Sequence, residues 1–147
     1  MREIYQVISG LEVIAVLRLG NAPPDRKTLE PLFTSAADMR AAITQNDVSR
    51  WSQADEQFHR DLLRLSGNQT LCAQGFQMRD YVLRAHMVAL RLQTDAYRHE
   101  STDNHHKLLE AIQNDGGQIA ATSHFAQRQR GEDALIDAVE ASNITRL

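Results

Sequence analysis

Apolar residues recur along most of this chain at spacings of three and four, the period of a helix with one buried face. Runs that alternate apolar with polar, as a half-buried strand would, are hard to find. Six helical segments are predicted. The first runs from about Arg2 to Leu19, where Ile4, Val7, Ile8, Leu11, Ile14 and Ala15 repeat, and Gly20-Asn21-Ala22-Pro23-Pro24 stops it. The second runs from about Lys27 to Asn46, with Leu29, Leu32, Phe33, Ala36, Met39 and Ile43 on one side. Pro31 falls in its first turn, where a missing N–H is tolerated. The third spans Val48 to Leu65, and Ser66-Gly67-Asn68 both ends it and can cap its successor. The fourth is read as one long helix from Gln69 to Tyr97, weakened at Gly75. The fifth opens at Ser101-Thr102-Asp103 and reaches Asn114, ahead of the turn signal Asp115-Gly116-Gly117. The last runs from about Gln118 to Ser142, with Gly131 as a place for a kink.

These segments predict an all-α fold, an antiparallel bundle of about six or seven helices. No repeat, low-complexity stretch or linker divides the sequence, so a single domain over 1–147 is expected. The charged fraction of 24% and apolar fraction of 42% are those of an ordinary globular chain. The net charge of −3 argues against a nucleic-acid surface, and the short basic stretch Arg128 to Arg130 does not reverse it. The one cysteine, Cys72, forbids an intramolecular disulfide and reads as a small core residue. There is no signal-peptide pattern and no apolar run of about 18 residues, so a cytoplasmic chain without membrane contact is expected.

The candidate chemistry lies in histidines and acids. Asp55 and His59 are four apart on the third helix and continue a stripe to Leu62 and Leu63. A buried carboxylate needs a partner, and the simplest is that these two bond each other on a half-exposed helix. On the fifth helix His105 shares its stripe with Leu108, Leu109 and Ile112, whereas His106 lies with Glu110 and Gln113 and is expected to face water. On the sixth, His124 follows Ala120 and Ala121, small residues that leave room for a ring or a ligand. Singly, His105 and His124 also read as core or boundary histidines. Together, one inward acid and three inward histidines from three helices are a donor set for zinc, nickel, iron or manganese rather than calcium.

His86 lies with Val82, Leu83 and Leu90 on the fourth helix, and Arg79 is seven residues earlier on the same stripe. A buried arginine there can grip the carboxylate of an effector, or join an interhelical ion pair. Arg84 is expected in water, His99 near a helix end, and Trp51 in the core. Glu56 points to a different face from Asp55, which leaves a metal without an adjacent general base. No phosphate loop or G-x-S-x-G elbow is present.

The order of these pieces resembles the FCD domain, the C-terminal effector-binding domain of FadR-subfamily GntR transcription regulators. The resemblance rests on Glu3-Ile4-Tyr5-Gln6-Val7 through Leu11-Glu12, on Asp55-x-x-Phe58-His59-x-x-Leu62 with Ser66-Gly67-Asn68-x-x-Leu71, on His105-x-x-x-Leu109-x-Ala111-Ile112, and on His124-Phe125. It implies a divalent metal held by Asp55, His59, His105 and His124, most readily zinc or nickel, with iron or manganese as other choices. A small organic acid would bind beside the metal, with Arg79 and His86 as candidate contacts. The His105–His124 connection is shorter than usual, which leaves His124 the least secure ligand. The resemblance also implies a homodimer whose DNA contacts belong to an N-terminal winged helix-turn-helix. This chain starts at the sensing domain, as a fragment or as a stand-alone sensor. The expected role is therefore effector sensing and dimerisation in a transcription regulator, not catalysis. A metal-dependent enzyme acting on small acids and a metal-free helical interaction module are the alternatives.

Overall fold

The computed structural model describes residues 1–142; positions 143–147 of the expected domain lie outside the described residues. Six helices follow one another: α1 (Arg2–Asn21), α2 (Glu30–Thr44), α3 (Val48–Leu65), α4 (Gln69–Arg91), α5 (Asp95–Asn114) and α6 (Gly117–Ala141). No strand occurs among the described residues. The all-helical expectation holds. Three starts carry side-chain caps that satisfy an otherwise orphaned backbone N–H: Asp47 accepts from Arg50 N, Asn68 from Leu71 N and Thr94 from Tyr97 N. Gly67 and Gly116 supply the positive φ values, +74° and +85°, that bracket the α3–α4 and α5–α6 turns.

The α4–α5 boundary differs from the sequence expectation. The helix stops at Arg91 and a new one starts at Asp95, so Tyr97 and Arg98 belong to α5. The junction contains neither Gly nor Pro. It is held by the Thr94 cap and by Gln93, whose side chain donates to Ala89 O and Ala134 O. His99 therefore sits near the start of α5, away from the C-terminal dipole that would favour it. Neither Gly75 nor Gly131 interrupts its helix. Gly75 is buried where an added Cβ would meet the Leu63 methyls, so its small size serves the α3–α4 contact.

The apolar core forms two clusters. One gathers Ala15, Leu19, Leu32, Phe58, Leu62, Leu109, Ile112 and Ala120. The other gathers Tyr5, Ile8, Met39, Trp51, Val82, Leu90 and Leu135. Every helix except α5 feeds both, and consecutive helices traverse them in opposite directions, as an antiparallel bundle requires. Between the clusters each of five helices carries buried polar residues: Glu12 on α1, Asp55, Glu56 and His59 on α3, Arg79 and His86 on α4, His105 on α5, and His124, Arg128 and Glu132 on α6. A polar waist thus crosses the middle of the bundle.

The buried face of α1 is rotated from the expected one. Tyr5, Ile8, Glu12, Ala15 and Leu19 point inward, while Val7 and Ile14 remain about half exposed. Apolar side chains encircle α1, so periodicity alone gives little contrast. α3 is buried on most sides because it packs on α1, α2 and α4 at once. Glu56 is accordingly buried rather than directed away from the core. His106 is half-buried rather than solvated, and its Nε2 is enclosed without a hydrogen-bond partner among the described residues. Cys72 is half-buried as well, at the edge of the core. Trp51 is fully buried and donates to Thr102 Oγ1 at 3.0 Å. No described helix is long and apolar enough to cross a membrane.

Candidate metal centre

The waist brings three of the expected ligands together. Asp55 Oδ1 lies 3.6 Å from His59 Nε2 and 3.3 Å from His105 Nε2. The two imidazole nitrogens are 3.3 Å apart. All three residues are buried. Asp55 and His59 reach this point because they are one helical turn apart on α3; α5 delivers His105 from across the bundle.

These spacings suit an ion. A tetrahedral zinc bonded at about 2.0–2.2 Å to N and O donors sets donor-to-donor edges of about 3.3–3.6 Å. The remaining ring nitrogens also conform. His59 Nδ1 lies 2.6 Å from Glu12 Oε1, and His105 Nδ1 lies 2.5 Å from the Ser101 carbonyl. Metal-bound histidines characteristically donate their other N–H to a carboxylate or backbone carbonyl, which aims Nε2 at the ion. Both rings are therefore set up with Nε2 facing the common point.

His124 is buried beside this trio but is not part of it. Its Nε2 lies 3.2 Å from Glu12 Oε1, the oxygen that also meets His59. Glu12 is fully buried, and its other oxygen accepts from Arg79 Nη1 at 3.2 Å. Arg79 in turn forks onto Glu56 through Nε at 3.1 Å and Nη2 at 2.5 Å. Its guanidinium is thus engaged in the interhelical ion pair that is the other reading of a buried arginine. His86 Nδ1 bonds the Tyr5 hydroxyl at 2.9 Å, while its Nε2 has no hydrogen-bond partner among the described residues.

The electrostatics are those of an acid-rich interior. Buried Glu12, Asp55, Glu56 and Glu132 face buried Arg79 and Arg128, with Arg60 reaching Glu56 from the edge. Burial alone would raise the Glu12 carboxyl, but Arg128, His59 and His124 pull it well below the usual carboxylate range. Asp55 is likewise favoured toward protonation by burial and held well below its ordinary value by His59, His105 and His86. For His59, burial favours the neutral ring, and Glu12 and Asp55 overcome it and raise the pKa. Burial keeps the pKa values of His86 and His124 depressed.

The trio forms one wall of a cavity of about 200 Å³. Other parts of its lining come from His86 on α4, Asn104 on α5 and His124, Gln127 and Arg128 on α6. Arg79 is not in that lining.

A family model for the FCD domain matches residues 3–127. The chain belongs to the FCD domain family. The FCD match runs from the first turn of α1 to the residue before Arg128, so it covers Asp55, His59, His105, Glu12 and His124. The chain is also 37% identical over 65 residues to an uncharacterized HTH-type transcriptional regulator in the TAR-I ttuE-ttuC' intergenic region of Agrobacterium vitis. That match covers 43% of this chain and 38% of the relative. No solved structure matches the chain.

Two members of the site have no functional role in the sequence reading. Glu12 enters there only as part of the opening-helix pattern, and Arg128 only as part of a short basic stretch. Each had a usable signal. Glu12 stands alone among apolar residues four before and three and four after it, at Ile8, Ala15 and Val16. His124, Arg128 and Glu132 follow at intervals of four and so share one helix face.

Proposed function

We propose that this FCD domain is the effector-sensing part of a transcription regulator, and that it holds a divalent metal through Asp55, His59 and His105, with His124 as the fourth protein donor. The reading rests on one observation: three donor atoms 3.3–3.6 Å apart on the wall of a cavity large enough for a small organic acid. Imidazole and carboxylate donors suit zinc or nickel first, and iron or manganese next. When bound, the ion supplies a Lewis-acidic point that can draw an acidic ligand to that wall. Glu12 orients His59, and the Ser101 carbonyl orients His105. To complete the set, His124 would have to leave Glu12 and turn toward the trio.

In a regulator, an acid bound in this cavity would act by favouring one arrangement of α3, α5 and α6 over another. DNA contact is assigned to a separate helix-turn-helix domain, in keeping with the name of the Agrobacterium relative. A homodimer is expected, and the exposed Val7 and Ile14 on α1 offer apolar surface for it.

Elemental analysis of protein purified without an immobilised-metal column tests the central claim. About one equivalent of zinc or nickel is expected, and chelation should lower the melting temperature. Asp55→Ala, His59→Ala and His105→Ala should each abolish retention. Less than about a tenth of an equivalent, with melting unchanged by chelator, would leave a metal-free helical module.

A further inference from the structure

His86 on α4 is 3% exposed and stands beside the trio without belonging to it. Its Nδ1 lies 2.9 Å from the Tyr5 hydroxyl, and its Nε2 is buried without a hydrogen-bond partner among the described residues. Two carboxylate oxygens, Asp55 Oδ2 and Glu56 Oε2, are each 3.8 Å from Nε2. That is beyond hydrogen-bond length, yet two acids on that side draw the ring proton to Nε2. In the neutral ring Nδ1 is then the acceptor, and the Tyr5 hydroxyl donates to it.

The two acids are not equally free. Glu56 Oε2 already accepts from Arg79 Nη2 at 2.5 Å, and Glu56 Oε1 accepts from Arg79 Nε at 3.1 Å and Arg60 Nε at 2.7 Å. Asp55 turns Oδ1 to His59 and His105, at 3.6 and 3.3 Å, and Oδ2 to His86. A buried N–H without an acceptor is costly, and an approach of about 0.9 Å brings Nε2 to hydrogen-bond length of Oδ2. We infer that His86, held by Tyr5, is a positioning residue for Asp55: it takes Oδ2 and so leaves Oδ1 as the oxygen offered to a metal beside His59 and His105. This rests on the metal reading above. A carboxylate free to rotate would have to be ordered as the ion binds, and that cost would weaken affinity. α1 then steadies both ligands of α3. Tyr5 and Glu12 are seven residues apart on its buried stripe; Glu12 meets His59 directly, and Tyr5 acts on Asp55 through His86.

The test is zinc competition against a chromophoric chelator on the whole chain, with urea unfolding in chelator alongside. His86→Leu should weaken zinc about 10- to 100-fold. His86→Gln, whose amide N–H can stand in for Nε2–H, should stay within about threefold of wild type. Tyr5→Phe keeps the core ring but releases Nδ1, and should weaken zinc by about three- to tenfold. Cobalt substitution gives a readout that packing alone would not move. The visible bands of the bound cobalt should change in His86→Leu and Tyr5→Phe and match wild type in His86→Gln. Circular dichroism reports folding; if His86→Leu does not fold, Tyr5→Phe and His86→Gln decide the matter. A folded His86→Leu or Tyr5→Phe chain with zinc affinity within about threefold of wild type and unchanged cobalt bands overturns the inference while the metal reading stands, even where urea shows lost stability. So does a His86→Gln chain as weak as the leucine variant. A wild-type chain that binds no zinc overturns both.

Discussion

Glu12→Gln is the substitution that probes the polar waist most sharply. The carboxylate is fully buried and faces His59 Nδ1 at 2.6 Å, His124 Nε2 at 3.2 Å and Arg79 Nη1 at 3.2 Å. Glutamine keeps the volume and one acceptor oxygen, which can still meet His59. Its amide NH₂ must then occupy the place of Oε2, facing the Arg79 guanidinium donor to donor. Breaking a buried pair costs about 3–5 kcal/mol, and the lower end applies because Arg79 keeps its fork on Glu56. A loss of about 3 kcal/mol in folding stability is expected.

On the proposed metal reading, zinc affinity should fall separately. Loss of a carboxylate that orients a ligating histidine lowers affinity about 10- to 100-fold, equivalent to about 1.4–2.7 kcal/mol. Competition against a chromophoric zinc chelator measures this directly. Urea unfolding in chelator and in excess zinc gives a second reading, because the stabilisation by zinc should shrink by the same increment. A glutamine variant with zinc affinity within about threefold of wild type, and an unchanged urea midpoint in chelator, would refute the role given to Glu12.

Two further predictions concern stability. In chelator, acid destabilisation should start near neutrality: His86 and His124 have depressed folded pKa values, so their contribution is complete above the unfolded value of about 6.5 and is lost as pH falls through the folded values. Glu12 and Asp55 add losses below about pH 4.5, while His59, raised, acts in the opposite sense and loses its contribution as pH rises through its folded pKa; a urea midpoint that does not fall between about pH 4.5 and 3 would contradict the assignment. Gly117→Ala should lower stability by about 1–3 kcal/mol, because its Cβ would strike the Leu17 carbonyl and Asn21 where α6 crosses α1. Gly10→Ala, on the same α1 but with open space at the Cβ position, should instead gain about 0.5–1 kcal/mol, and thermal melts of the two variants moving in the same direction would count against this account.

Local signals in the sequence were accurate where a residue acts through its own helix. α3 begins and ends at the expected residues because Asp47 caps it and Ser66-Gly67-Asn68 closes it. Asp55 and His59 were legible as a pair because one turn of helix brings them together. The choice of His105 over His106 followed from the stripe of Leu108, Leu109 and Ile112, and the structure directs His105 inward. The α4–α5 boundary was not legible, because a threonine cap and a glutamine bonded to two backbone carbonyls leave no Gly or Pro to mark it.

What the sequence leaves open about the buried arginines and Glu12 shares one physical cause. Arg79 and Arg128 are both buried arginines, and nothing within either helix says which one is drawn into close hydrogen bonds with acids of other helices. The answer comes from α1 and α3, through Glu12 and Glu56, which occupy Arg79 and leave Arg128 Nη2 without an acceptor. Glu12 was itself obscured because α1 is apolar on nearly every side, so one acid in the opening helix looked like surface. An acid on the buried stripe of such a helix nevertheless carries information about the helices around it. Its desolvation must be offset by cations from other helices, so its presence on a stripe such as Tyr5–Ile8–Glu12–Ala15–Leu19 announces that histidines or arginines converge on it. Of the four basic side chains around Glu12, His59, His124 and Arg79 are within 3.2 Å and Arg128 stands at 3.9 Å. At that longer distance Arg128 acts on Glu12 through its charge rather than through a hydrogen bond.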